Sequence, residues 1–341
     1  MRSLSRRFQN GVILCLAILT GAIAGHAQAP SRPSSGEAAA VLSAAREALG
    51  GDKRLSAVKA IVATGRTRQV QGDNLVPIEF EINIELPDKY VRTDEIPARE
   101  SGPTSCGFNG DGLIQFPEAE PPRAGGPPAG AAPSGGAARP GGPAGPGGPA
   151  GTPPDPTISL KQDFARLTLA MFATSFSSYP LSFGFAGQAE APEGKADVID
   201  VKGAPNLTAR LFVDNKTHLP LMLSWQTPAN LVPVLPGQPP PANLPPGTVT
   251  FDAPGPPPGS TATAEERTKY QQDVQTARAK AMAAAKPTEN RMYYADYRDV
   301  DGMKFPFRIR RAVGATTMEE TTFDRFRINP KIDPKKFEVR K

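Results

Sequence analysis

The chain has 341 residues, 39 lysines and arginines against 34 aspartates and glutamates, a formal charge of +5, two cysteines and two histidines. That length admits two domains, but 39 prolines and 33 glycines, concentrated in two stretches, argue for one interrupted domain. The small charge excess and the scarcity of cysteine and histidine argue against nucleic-acid binding, a disulfide framework and histidine-based catalysis.

Residues 1–29 read as an export signal. Arg2, Arg6 and Arg7 precede an apolar run from Val12 to Ala24, too short to span a bilayer comfortably. Small residues follow, and Ala27 is favoured over Ala29 as the last residue removed because Pro30 follows Ala29. Ser5-Arg6-Arg7 hints at a twin-arginine signal, and Cys15 lies inside the apolar run, a poor place for lipidation. Removing three arginines and no acids takes +5 to +2. The mature chain, residues 30–341, is expected to be a soluble extracytoplasmic domain that makes no nucleic-acid contact and only transient membrane contact. Cys106 is its remaining cysteine and reads as a small buried hydrophobe before it reads as a reactive thiol.

Ser34 and Glu37 form a capping box for a helix over Ala38–Leu49, which Gly50-Gly51 ends. Val58–Val70 reads as a strand. Val76–Leu86 alternates most clearly: Ile78, Phe80, Ile82, Ile84 and Leu86 share one face and Glu79, Glu81, Asn83 and Glu85 the other. Pro87-Asp88 turns the chain into Tyr90–Glu95, and Asn109-Gly110-Asp111-Gly112 is a hairpin turn between short strands. Residues 117–156, nearly all Pro, Gly and Ala, cannot bury enough apolar surface to offset chain ordering and read as a disordered insertion.

Thr157–Phe176 is an amphipathic helix, with Leu160, Phe164, Leu167 and Met171 at helical spacing. Strands follow near Leu181–Phe185 and Ala196–Val201. Leu207–Val213 and Leu219–Gln226 then flank the polar break Asp214–His218 and pair as an antiparallel hairpin. Residues 227–289 read as a second insertion. It is Pro-rich to residue 260 and helical between Thr261 and Lys286, with Thr263 as cap and an apolar stripe too thin to dock firmly. Arg291–Val300 and Met303–Val313 flank an Asp301-Gly302 turn, and Thr316–Ile328 is a further strand. The tail turns at Asn329–Asp333 before Phe337-Glu338-Val339. The total is about ten strands in an α+β fold, an antiparallel sheet with helices on one face.

No catalytic constellation emerges. His218 sits in a turn, and Asp296, Asp299 and Asp301 lack calcium-loop spacing. No cofactor is expected. What remains is apolar surface, which fills a core or lines a cavity. A curved sheet roofed by an amphipathic helix is a container for an acyl chain. The candidate lining is Ile78, Phe80, Ile82, Ile84, Leu221, Leu223 and Trp225 from strands, with Phe164, Leu167 and Met171 from the helix.

Several segments resemble the LolA/LolB-like family of periplasmic lipoprotein carriers. They are Ala48-Leu49-Gly50-Gly51 with Leu55 and Val58, Leu86-Pro87-Asp88-Lys89-Tyr90, Gly110-Asp111-Gly112, and Leu211-Phe212-Val213-Asp214 with Thr217 and Leu219-Pro220. Further segments are Tyr297-Arg298-Asp299-Val300-Asp301-Gly302 with Phe305-Pro306, and Ile328-Asn329 with Ile332-Asp333 and Phe337. The resemblance implies an unclosed antiparallel half-barrel with a helical lid over a cavity that receives acyl chains. For the carrier's functional arginine, Arg66 and Arg68 are the candidates. The two insertions and the lack of a cysteine at the mature N-terminus depart from the carrier and from its lipid-anchored receptor branch. The expected function is a non-enzymatic binding protein, its partner a lipid or acylated lipoprotein. The alternatives are a regulatory or envelope-stress-sensing module of the same fold that binds an envelope protein, and a carboxylate hydrolase.

Overall fold

The computed structural model describes residues 35–71, 74–97, 102–117, 155–191, 194–242, 244–259 and 261–339. The expected export signal, the cap residue Ser34 and nearly all of the 117–156 insertion lie outside the described residues.

The chain opens with helix α1 (Ser35–Leu49) and the short α2 (Asp52–Ala57). Strands β1 (Ala60–Gln71), β2 (Asn74–Glu85), β3 (Lys89–Glu95), β4 (Thr104–Asn109) and β5 (Gly112–Phe116) follow as a meander. Helix α3 (Pro156–Phe172) leads to β6 (Leu181–Ala191), β7 (Gly194–Gly203), β8 (Leu207–Asp214) and β9 (Pro220–Thr227). Then come β10 (Asn230–Val234), β11 (Thr248–Asp252) and α4 (Ala264–Ala284). Strands β12 (Thr288–Val300), β13 (Met303–Val313) and β14 (Thr316–Ile328) and a 3-10 turn, Pro334–Phe337, complete it.

Twelve strands form one sheet in the order β5-β4-β3-β2-β1-β14-β13-β12-β9-β8-β7-β6, and its two edges, β5 and β6, do not pair. Every neighbouring pair is antiparallel. The fold is therefore the expected α+β class, an unclosed antiparallel sheet with a few helices. Where about ten strands were expected, the described residues hold fourteen: twelve in this sheet and two in the 227–260 stretch. Asn230–Val234 pairs parallel with Thr248–Asp252 in a separate small sheet, against which α4 packs. Helix α4 carries a full capping box between Thr263 and Glu266 but buries no residue, as its thin apolar stripe leads one to expect.

The sheet curls around α3. That helix touches β5, β4, β13 and β9, which stand first, second, seventh and ninth in the strand order. Eight strand spacings span about 38 Å, whereas seventeen residues of helix span about 26 Å. A flat sheet could not bring those strands to one helix. Helix α1 packs beside it, against β6 and β13. The alternating inner faces of the strands supply the core: Ile61, Ile82, Ile84, Leu211, Leu223, Phe305 and Phe323 pack with Leu49, Phe164, Met171 and Phe172. A smaller cluster covers the opposite face near the β5 edge, where Val62, Val91 and Ile114 meet Ile332 and Phe337 of the tail.

Local chemistry explains the ends of the elements. Asp155 caps α3 by accepting from the Thr157 amide, with Pro156 in the first turn. The helix stops at Phe172, short of the expected Phe176, because Ala173 takes a left-handed conformation with φ 46°. Asp301 and Gly302 both have positive φ, as a two-residue hairpin turn requires.

Candidate functional site

Helix α3 meets the inner sheet face at β4, β5, β9 and β13. Of the ten expected lining residues, Phe80, Ile82, Ile84, Phe164, Leu167, Met171 and Leu223 lie buried in the main core cluster, and Trp225 packs against it partly buried. Ile78 is also buried, opposite Thr67. Phe164 and Tyr90 have ring centroids 5.7 Å apart, and Phe164 meets Phe108 edge-on at 5.5 Å. Phe172 meets Phe305 edge-on at 6.2 Å. The inner face is closed by the protein's own rings.

Leu221 is not brought together with the other nine. It is 39% exposed because the β8–β9 register shifts between Phe212 and Val213: Phe212 pairs with Met222 but Val213 with Pro220. The extra residue turns Leu221 outward, away from the parity that sequence alternation assigned it.

The roof is joined to the sheet by a polar seam that periodicity did not reveal. The Arg166 guanidinium donates to Asp163 at 2.6 Å and lies 4.5 Å from the Trp225 ring centroid. Arg311 of β13 reaches the same carboxylate at 3.5 Å. Two tyrosines of β12 reach the main chain of the second half of α3. The Tyr294 hydroxyl donates to the Arg166 carbonyl at 2.8 Å. The Tyr297 hydroxyl donates to the Pro220 carbonyl at 2.9 Å and lies 3.2 Å from that of Ala170. Burial pushes both hydroxyls well above the ordinary tyrosine range, so they remain protonated donors. Asp163 Oδ2 and Arg166 Nε are buried without a partner among the described residues. The signal available in sequence was an acid–base pair three apart, flanking the Phe164–Leu167–Met171 stripe.

A second polar cluster lies on the inner face under β1, β3 and β14. Arg92 pairs with Asp94 at 2.7 Å, donates to Thr67 at 3.0 Å and stacks over Phe80 at 4.6 Å. Burial opposes its charge, but Asp94 and Glu319 hold it above the usual arginine value. Arg66, one of the two expected candidates, is exposed and pairs with Asp324 at 3.4 Å; Arg68 is also exposed.

Asp296 pairs with Arg298, and Asp299 accepts from the Gly302 amide. His218 sits in the β8–β9 turn with φ 56°. Among the described residues no group of three or more His, Cys, Asp or Glu is placed to hold a metal. Cys106 is partly buried and packs against the core.

No protein-family model matches the chain, and comparison with curated proteins finds no match. Solved structures do. The chain is similar to a LolA superfamily protein from Nitrosomonas europaea, at 11% identity and TM-score 0.45, over 88% of this chain and 97% of that one. It is similar to a domain named for outer-membrane lipoprotein sorting from Vibrio parahaemolyticus, at 7% identity and TM-score 0.43, over 89% of this chain and 97% of that one. Among the described residues no helix is long and apolar enough to cross a membrane.

Proposed function

We propose that this chain is a non-enzymatic extracytoplasmic binding protein that shields an acyl chain of a lipid or lipoprotein. The chain would lie between the inner sheet face (Ile78, Phe80, Ile82, Ile84, Leu223, Trp225) and α3 (Phe164, Leu167, Met171), in a space that forms when the helix lifts. One observation carries this reading: α3, with α1 beside it, covers a ring-lined interior, and the α3 seam is under-satisfied. Asp163 Oδ2 and Arg166 Nε are sealed without partners among the described residues, at a cost of about 1–3 kcal/mol each. Lifting α3 returns both groups to water. The exposed inner face then takes an acyl chain, and ten buried methylenes contribute about 8 kcal/mol. The mechanism is hydrophobic sequestration, with reclosure of α3 setting release.

The test is native mass spectrometry of protein purified from its own envelope, followed by labelling with a diazirine fatty acid. Co-purified acyl lipid, and label on α3 and β2, are expected. Lipid-free protein with no label on either element would overturn the reading.

A further inference from the structure

The outer face of the same sheet holds an open groove of about 710 Å³, within the size range of small-molecule sites. Its floor is one cross-strand row. Phe212 of β8 pairs with Met222 of β9, Met222 with Tyr293 of β12, Tyr293 with Arg310 of β13, and Arg310 with Glu320 of β14. These side chains point away from α3, because their strand neighbours Leu211, Leu223 and Tyr294 belong to the core cluster. Five strands make the row about 19 Å long. The outward-turned Leu221 and the small side chains Ala189 and Ala196 extend its apolar end.

The charges around the groove are matched except at one place. Arg308 pairs with Glu320, and Lys195 with Glu190 at 3.7 Å. Asp214 accepts from the Thr217 and Lys216 amides and the Thr217 hydroxyl, which hold its carboxyl below the ordinary range. Arg310 has no carboxylate within ion-pair distance among the described residues and lies 4.3 Å from the Tyr293 ring centroid. An apolar track therefore ends at an exposed guanidinium held by stacking, a geometry that pairs with a carboxylate.

From this row we infer a second binding site, for a long-chain fatty carboxylate: the head group on Arg310, the tail over Tyr293, Met222 and Phe212 toward Leu221. The volume suits one chain, not a whole two-chain lipid. The site needs no movement of α3 and is independent of the interior reading.

The experiment titrates the full mature protein with cis-parinarate, a fluorescent fatty acid, and with its methyl ester. Saturable binding is expected for the acid, weakened about tenfold for the ester and for Arg310→Met, restored toward wild type by Arg310→Lys, and lost in Met222→Glu. Met222→Ala, which introduces no charge, should weaken binding several-fold with an unchanged melting curve. A diazirine fatty acid should label Phe212, Met222 or Tyr293, and Arg310→Met should remove that label while leaving any label on α3 and β2. Three results would overturn the proposal: equal affinity for acid and ester, binding indifferent to Arg310→Met and Met222→Ala, or a dimer through this face that Met222→Glu dissociates and that binds no probe. Lipid-free protein with no label on α3 or β2, but with the Arg310-dependent label on this row, leaves this site standing and removes the interior one.

Discussion

The Arg166 guanidinium on α3 lies 4.5 Å from the Trp225 ring centroid on β9 while donating to Asp163 on its own helix. One side chain thus carries both the ionic and the apolar part of the contact between the roof helix and the sheet. The Asp163 and Arg166 side chains are 9% and 11% exposed, so their pairing is screened far less than a surface ion pair.

Removing the carboxylate alone should be costly. Asp163→Ala leaves Arg166 and Arg311 crowded and uncompensated, and a loss of about 2–4 kcal/mol is expected in urea unfolding. The double change Asp163→Leu with Arg166→Met should recover most of it, since a packed apolar pair replaces an imperfect ionic one. Equal losses in the single and double variants would show that the seam is not coupled.

The tyrosine anchors should be separable from the core. Tyr294→Phe removes a donor from the Arg166 carbonyl, and Tyr297→Phe one from the Pro220 carbonyl, each at about 1 kcal/mol. Both variants should raise hydrogen exchange in the second half of α3 more than in β1 or β2. Uniform loosening of the whole sheet would contradict a local anchoring role.

Gly107 is required by close approach and not by backbone sign. A Cβ there would collide with the Tyr90 carbonyl oxygen and come within 2.7 Å of Val91 Cα on the neighbouring strand. Gly107→Ala must push β4 from β3, and a loss of about 2–3 kcal/mol is expected. An unchanged melting temperature would rule out the close strand approach.

The segment between β9 and β12 should be removable. Thr227 and Thr288 are direct partners across that pair, so a short Gly-Asn turn can join them in place of β10, β11 and α4. No residue of α4 is buried, and the excised protein is expected to keep a cooperative melt close to that of the full chain. Failure to fold would show that the small parallel sheet supports the main one.

The Asp214 carboxylate links the β8–β9 turn to pH. The Thr217 amide, foremost, with the Thr217 hydroxyl and the Lys216 amide, holds its folded pKa below the ordinary aspartate value. Its contribution is therefore present above about pH 4 and is lost as pH falls through the depressed folded value. Wild type minus Asp214→Asn stability should shrink with acidification, and carbon NMR should show this carboxyl titrating below free aspartate. A carboxyl that titrates at or above the free value would refute the turn's hold on it.

The alternation along Val76–Leu86, the Asp301-Gly302 turn and the Phe164–Met171 stripe were enough, by themselves, to specify strands, hairpin register and the face of α3 that is buried, because each is a local consequence of backbone period and turn conformation. Composition likewise marked α4 as a weakly docked helix. Other features belonged to the tertiary structure alone. Sheet curvature brings β5 and β9 to one helix. The β8–β9 register shift turns Leu221 out of the face its parity assigned. Asp163, Arg166, Arg311 and Trp225 meet from three separate elements, as do Phe212, Met222, Tyr293 and Arg310 from four strands. The curvature and the two clusters depend on contacts between residues tens of positions apart, where sequence spacing carries no distance, and the register shift is a bulge that side-chain parity does not reveal. Only strand order and curvature decide which side chains become neighbours.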